Sequence, residues 1–267
     1  GTWSAGTVEL QLARPLADIG ELHAEAQALV EHAGSRVVVH HLARGVRQTL
    51  EAEVHHAQWL DASTVGLFRW PDDGTVSLGL WKLDTDAVGW WHGFVGHEVV
   101  EGGFVAWRRG PSDADILVFL EDADETVLGT LTGSWSRVVD GAPIVFFAAD
   151  EGLFVVDGTT APPTMRQLDP RRPANIEADA ELVFAEFATE FVLFDLAGGS
   201  LVVDSRTVPA DGLAVWLDAT GALRTYDART SHQRITPSTL YGWGGTGRER
   251  FYYLEDGTWW VEPRGSG

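Results

Sequence analysis

The sequence predicts an all-β chain, an array of antiparallel hairpins preceded by one N-terminal helix. Three observations predict it. Pairs of apolar strands recur along the chain, their turns are rich in Gly, Asp and Pro, and several strands are apolar on both faces. The expected division is 1–36 for an N-terminal strand and amphipathic helix, and 37–263 for the β-domain.

The helix is read from Leu12–Gly34, "LARPLADIGELHAEAQALVEHAG". There Leu16, Ile19, Leu22, Ala26, Leu29 and Val30 fall at the i, i+3, i+4 spacing of one apolar face. Pro15 stands near its start and Gly34 just past its end, where helix boundaries prefer them.

The strand pairs follow in order. They are Gly66–Asp84, Phe104–Asp122, Ile144–Asp157, Phe191–Asp204, Leu213–Asp227 and Leu240–Asp256, each an apolar strand, a turn, and a second strand ending in Asp. The turn segments "PDDG", "ADEG", "AGGS" and "ATGA" carry the residues that hairpin turns require. In Ile116–Leu120, Leu153–Val156 and Ala214–Leu217 successive residues are all apolar, so both faces of these strands are expected to be buried. A single sheet with one wet face does not produce that pattern; sheets covered on both sides do.

Apart from the closely spaced fifth pair, the hairpins start about 35–50 residues apart. In spacing and pattern this resembles β-propeller repeat proteins, from Val37 to Glu262. The Gly-His and Trp-Asp dipeptides of WD40 blades are missing. The resemblance implies five or six blades, with the strand Gly257–Pro263 pairing with Thr7–Ala13 to close a ring. The structural alternatives are a large β-sandwich, or two small β-domains parted at the proline-rich stretch Ala161–Asn175.

With 39 acidic against 19 basic residues the net charge is −20. Such a field repels phosphate backbones, so no nucleic-acid partner is expected. No run approaches the roughly 18 apolar residues needed to span a bilayer, and the N-terminus has no basic stretch leading into an apolar one, so neither membrane insertion nor a targeting signal is expected. There are no cysteines, which excludes disulfides, thiolate metal sites and cysteine nucleophiles.

The densest candidate site is "GWWHGFVGHE", Gly89–Glu98. His92 and His97 are five residues apart, which puts them on opposite faces of a continuous strand. A shared metal there would need a turn at Gly93 or Gly96, with Glu98 as third ligand. The doublets His40–His41 and His55–His56 flank an expected hairpin. A turn near Gln48 would set His40 opposite His56, and a turn at Gly45–Val46 would set it opposite Glu51. Adjacent histidines point to opposite faces in either register, so no metal cluster is expected. "GWGGTG" (Gly242–Gly247) matches G-x-G-x-x-G, but the alternating, aromatic segment after it reads as a hairpin and not the helix a dinucleotide site needs. Acidic stretches at Asp84–Asp86, Ser112–Asp115 and Glu121–Glu125 lack the EF-hand register and read as solvated turns.

Aromatics remain. Among 12 tryptophans, Trp90–Trp91 and Trp259–Trp260 are adjacent pairs that must point two ways from a strand, which leaves one member of each able to be exposed, and one of Trp90 and Trp91 is expected to face out. Exposed tryptophan suits ring stacking or gripping a partner. The expected function is a non-enzymatic binding module that recognises a protein or small ligand, carbohydrate included, through loops on a β scaffold. Its expected ligand-binding residues are Trp90, Trp91, His92, Trp259 and Trp260, with no metal or cofactor. The alternatives are a carbohydrate-active hydrolase using paired carboxylates, and a subunit docked through the N-terminal helix.

Overall fold

A computed structural model describes residues 21–23, 26–33, 35–42, 44–122, 124–139, 142–209, 212–229, 232–246, 249–254 and 259–263, the last three as backbone. The chain divides into two compact units, Gly1–Phe94 and Val95–Gly267. In every sheet the strands are antiparallel and neighbours in space are neighbours in sequence.

Among the described residues the first unit holds two four-stranded sheets. One comprises β1 (Leu22–His23), β2 (Ala28–Ala33), β3 (Arg36–His41) and β4 (Val46–Glu51). The other comprises β5 (His56–Asp61), β6 (Thr64–Arg69), β7 (Val76–Lys82) and β8 (Ala87–Phe94). Their facing sides share one core, with Val30, Val37 and Val39 from the first sheet against Trp59, Val65, Leu67 and Trp81 from the second.

The second unit repeats the motif. Its sheets are β9 (Gly96–Val100) with β10 (Gly103–Arg109), β11 (Asp115–Glu121) and β12 (Asp124–Leu131), then β13 (Trp135–Val138) with β14 (Ile144–Ala149), β15 (Gly152–Asp157) and β16 (Thr164–Asp169). Next come β17 (Asn175–Ala178), β18 (Leu182–Glu186), β19 (Phe191–Asp195) and β20 (Ser200–Val203). The last sheet has five strands, β21 (Leu213–Leu217), β22 (Ala222–Asp227), β23 (His232–Thr246), β24 (Glu249–Leu254) and β25 (Trp259–Pro263).

Strand β14 shows why the middle strands are apolar on both sides. Val145, Phe147 and Ala149 pack toward the β9–β12 sheet, while Ile144, Phe146 and Ala148 pack toward the β17–β20 sheet. Strand β18 does the same, with Val183 and Ala185 in one core and Leu182 and Phe184 in the next. Side chains alternate along a strand, so a strand between two packed sheets has no wet face. Repeated four-stranded meanders stacked in this way are what the β-propeller resemblance implies. All six hairpins read from the sequence are present as paired strands.

Four expectations are corrected or left open. The helix over Leu12–Gly34 is not formed in its described part, which holds β1 and β2, and Leu12–Gly20 lies outside the described residues. Ala28, Leu29, Val30 and Glu31 are all buried, two on each side of β2. A short apolar run of that kind satisfies helical spacing by coincidence, and the β-branched Val37–Val39 next to it supplies a partner strand.

The hairpin after β3 takes neither expected register. Its turn is Leu42–Gly45, which sets His41 opposite Val46 and His40 opposite Arg47. Gly45 occupies the left-handed region there, at φ 63°.

The proline-rich stretch Ala161–Asn175 is not a linker. It contains β16, whose Met165 and Leu168 pack on two cores. Finally, Thr7–Ala13 lies outside the described residues, and β25 pairs with β24. Among the described residues, no helix is long and apolar enough to cross a membrane.

Candidate functional site

At one end of the first unit the β1–β2, β3–β4, β5–β6 and β7–β8 turns line a cavity of about 540 Å³. Its polar lining is Gln27, His41, Arg44, Gln48, Ser63 and Asp84; Ala26, Val46, Ala62 and Leu83 supply apolar surface. Cavities of this size hold small ligands, with a few convergent polar groups fixing orientation.

Hydrogen bonds within and between the two sheets tie these turns together. Gln48 Nε2 donates to the Leu83 carbonyl at 2.8 Å, which leaves Oε1 facing His41 Nε2 at 2.6 Å. An amide oxygen only accepts, so His41 carries its proton on Nε2. The Leu42 N–H donates to the Gln27 carbonyl and the Leu83 N–H to the Ser63 carbonyl, both at 2.9 Å. Asp61 folds the β5–β6 turn by accepting from the Ser63 N–H at 2.7 Å and from its hydroxyl at 2.9 Å. Burial pushes the Asp61 carboxyl up, but the bonds from Ser63 and Thr64, with the Lys82 charge, outweigh it and hold the group below its ordinary value. Gln27 is left-handed, at φ 45°, a conformation that costs a non-glycine residue about 1–3 kcal/mol and clusters at binding sites.

Of the expected residues, Trp90, Trp91 and His92 lie on β8 of the second sheet, Trp90 opposite Gly79 and Trp91 opposite Leu78. Trp90 and His92 share one face of β8, with ring planes 4° apart and centroids 6.5 Å apart. The Arg69 guanidinium lies 3.9 Å over the Trp90 ring. Gly79 lies beneath the indole, leaving it room to lie flat. His92 is exposed and its Nδ1 is 2.8 Å from the Ser77 hydroxyl. Trp91 points to the opposite face. Both tryptophans are half-buried, Trp90 packed against the core of the first unit. Trp259 and Trp260 lie on β25 opposite Tyr253 and Tyr252, and their side chains are outside what is described.

The most exposed described aromatic here is Trp70, 47% exposed on the β6–β7 turn. Its ring stacks on Phe68 at 6.2 Å and contacts His55 at 5.7 Å. Its backbone N–H donates to His55 Nδ1 at 3.1 Å. One face of Trp70 is thus held from behind. The "RWPDDG" turn (Arg69–Gly74) was the signal for it, since a tryptophan beside a hairpin turn sits past the end of the pairing.

The histidines are dispersed. His40 Nε2 is 2.9 Å from buried Glu31, and His56 faces Gln58 at 3.2 Å. In the second unit His97 contacts Phe104 edge-on. Among the described residues no three His, Asp or Glu side chains are grouped as metal ligands. "GWGGTG" runs through β23 into its hairpin with β24, a strand context that gives no helix N-terminus for a pyrophosphate.

No protein-family model matches the chain. No curated protein matches it either. Among solved structures it is similar to the β-propeller domain of the Trilobed protease from Pyrococcus furiosus, at 10% identity and TM-score 0.38, covering 88% of this chain and 87% of that one. It is also similar to BamB from Moraxella catarrhalis, at 13% identity and TM-score 0.36, covering 91% and 83%. A third is Sqt1 of Saccharomyces cerevisiae, at 14% identity and TM-score 0.38, covering 90% and 82%. Superpositions this loose say nothing about a site or partner. The chain's resemblance to β-propellers stands on its own stacked four-stranded sheets.

Proposed function

We propose that the protein is a non-enzymatic binding module, a propeller-like scaffold over 37–263 extended by β1 and β2, that takes a small polar ligand in the turn-lined cavity. The observation that carries this reading is the cavity itself, about 540 Å³ and built from four turns cross-tied by Gln48, Gln27 and Ser63. Loops held by stacked sheets are rigid enough to recognise a ligand without large reordering. Of the described lining residues only Asp84 is a carboxylate. A glycosidase needs two across its cleft, so the hydrolase alternative gains no support from this cavity.

A second reading, a protein partner, is favoured by Trp70. A tryptophan exposed on one face and braced on the other is the form that interface anchors take.

The test is a thermal-shift screen of a fragment library against the wild type and Ala62→Trp. Ala62 is an exposed turn residue lining the cavity, so the larger side chain fills the cavity without entering the core. Hits that stabilise the wild type and not the variant support the site. A set of hits indifferent to the substitution overturns it.

A further inference from the structure

The cavity presents two opposite charges that the fold does not use. Arg44 on the β3–β4 turn and Asp84 on the β7–β8 turn both line it, and both are exposed. Several surface arginines elsewhere are paired, Arg108 with Glu125, Arg172 with Asp150, and Arg171 with Asp169 and Glu190. Among the described residues neither Arg44 nor Asp84 forms an ion pair, with each other or with a third group. Two polar groups that line the cavity with them are already engaged. Gln48 spends its amide on His41 and Leu83, and Ser63 spends its hydroxyl proton on Asp61. Ala26, Ala62, Leu83 and Val46 give the rest of the wall an apolar character.

We propose that the cavity binds a small zwitterion of the amino-acid and short-peptide class, its carboxylate on Arg44, its ammonium on Asp84, and an apolar side chain against Leu83 and Val46. A guanidinium offers a carboxylate two parallel N–H donors, and a lone carboxylate accepts well from an ammonium. A single anion or cation would satisfy one of these charges and be repelled by the other. The volume exceeds what one amino acid fills and leaves room for a dipeptide. This inference rests on the cavity being the binding site, as proposed above.

The test is calorimetric titration with alanyl-leucine, N-acetyl-alanyl-leucine and alanyl-leucinamide against wild type, Arg44→Ala, Asp84→Asn and Ala62→Trp. The zwitterion should bind, and each cap should weaken binding about tenfold or more, the loss of one charge-assisted hydrogen bond. Arg44→Ala should erase the difference between acid and amide, and Asp84→Asn the difference between free and acetylated amine. Ala62→Trp should abolish binding of all three. If none of the three binds while neutral fragments still occupy a cavity that Ala62→Trp closes, the zwitterion is wrong and the site stands. If no ligand of any kind is sensitive to Ala62→Trp, both fall.

Discussion

His41 Nε2 and Gln48 Oε1 lie 2.6 Å apart, two side chains on one face of the β3–β4 hairpin, and the same Gln48 reaches Leu83 on the neighbouring sheet. This single amide therefore joins the floor of the cavity to the β7–β8 turn. Replacing it by Gln48→Leu leaves the His41 N–H and the Leu83 carbonyl without partners. The expected cost is about 1–3 kcal/mol, read as a lower urea midpoint at unchanged slope. It should also weaken any ligand of the cavity, since the turn that carries Asp84 keeps its bond to Ser63 but loses the one to Gln48.

Two glycines make contrasting predictions about packing. A Cβ at Gly103 would stand 2.3 Å from the Leu120 carbonyl oxygen, which is backbone and fixed by the β10–β11 ladder. A Cβ at Gly79 would meet the Trp90 ring at 3.0 Å, a side chain able to shift slightly. Gly103→Ala should destabilise by about 2–3 kcal/mol, and Gly79→Ala by about 1 kcal/mol. Gly79→Ala should also change the near-ultraviolet dichroism, because it displaces the indole that Arg69 covers.

Trp70 should be the tryptophan most accessible to quencher among those described. Trp70→Phe is expected to remove much of the iodide-quenchable fluorescence while changing stability by less than about 0.5 kcal/mol. His55→Ala, by removing the acceptor of the Trp70 N–H, should loosen the turn and raise quenching in the otherwise unchanged protein.

Burial alone lowers the pKa of His97 below its ordinary 6.5. The unfolded chain then takes up a proton before the folded one does. Stability at this residue is intact above pH 6.5, declines as pH falls through that value, and levels off below the folded pKa. His97→Phe should flatten the stability difference between pH of about 7.5 and 5.5. The pH dependence has the same sign at Asp169, in a more acid range and from a different cause. Its hydrogen bonds from Arg171 hold the carboxyl below 3.8 against the contrary push of burial. Its contribution is present above 3.8 and is lost as pH falls through the folded value, so Asp169→Asn should cost stability near neutrality and nothing in strong acid.

Much of this architecture is legible in the residues alone. "PDDG" and "ADEG" between apolar runs specify hairpins by turn chemistry, and the doubly apolar Leu153–Val156 specifies a strand covered on both sides. The β2 segment misleads because six residues of mixed burial fit either period, and only the pairing of Val37–Val39 across the turn decides between them. The cavity was hidden for a different reason. His41 was visible as half of a histidine doublet, but its partner Gln48 follows from the Leu42–Gly45 turn, and Leu83 and Asp84 join it only through the stacking of two sheets. Side chains brought together by register and stacking leave no local motif.

The most direct measurement is a ¹H–¹⁵N NMR titration of the full chain with alanyl-leucine. Saturable shifts centred on Gln27, His41–Gln48, Ala62–Ser63 and Leu83–Asp84, absent in Ala62→Trp, are the expected result. Shifts centred elsewhere, at Trp70 and Trp90 for example, would contradict a ligand site at the turn end of the first unit.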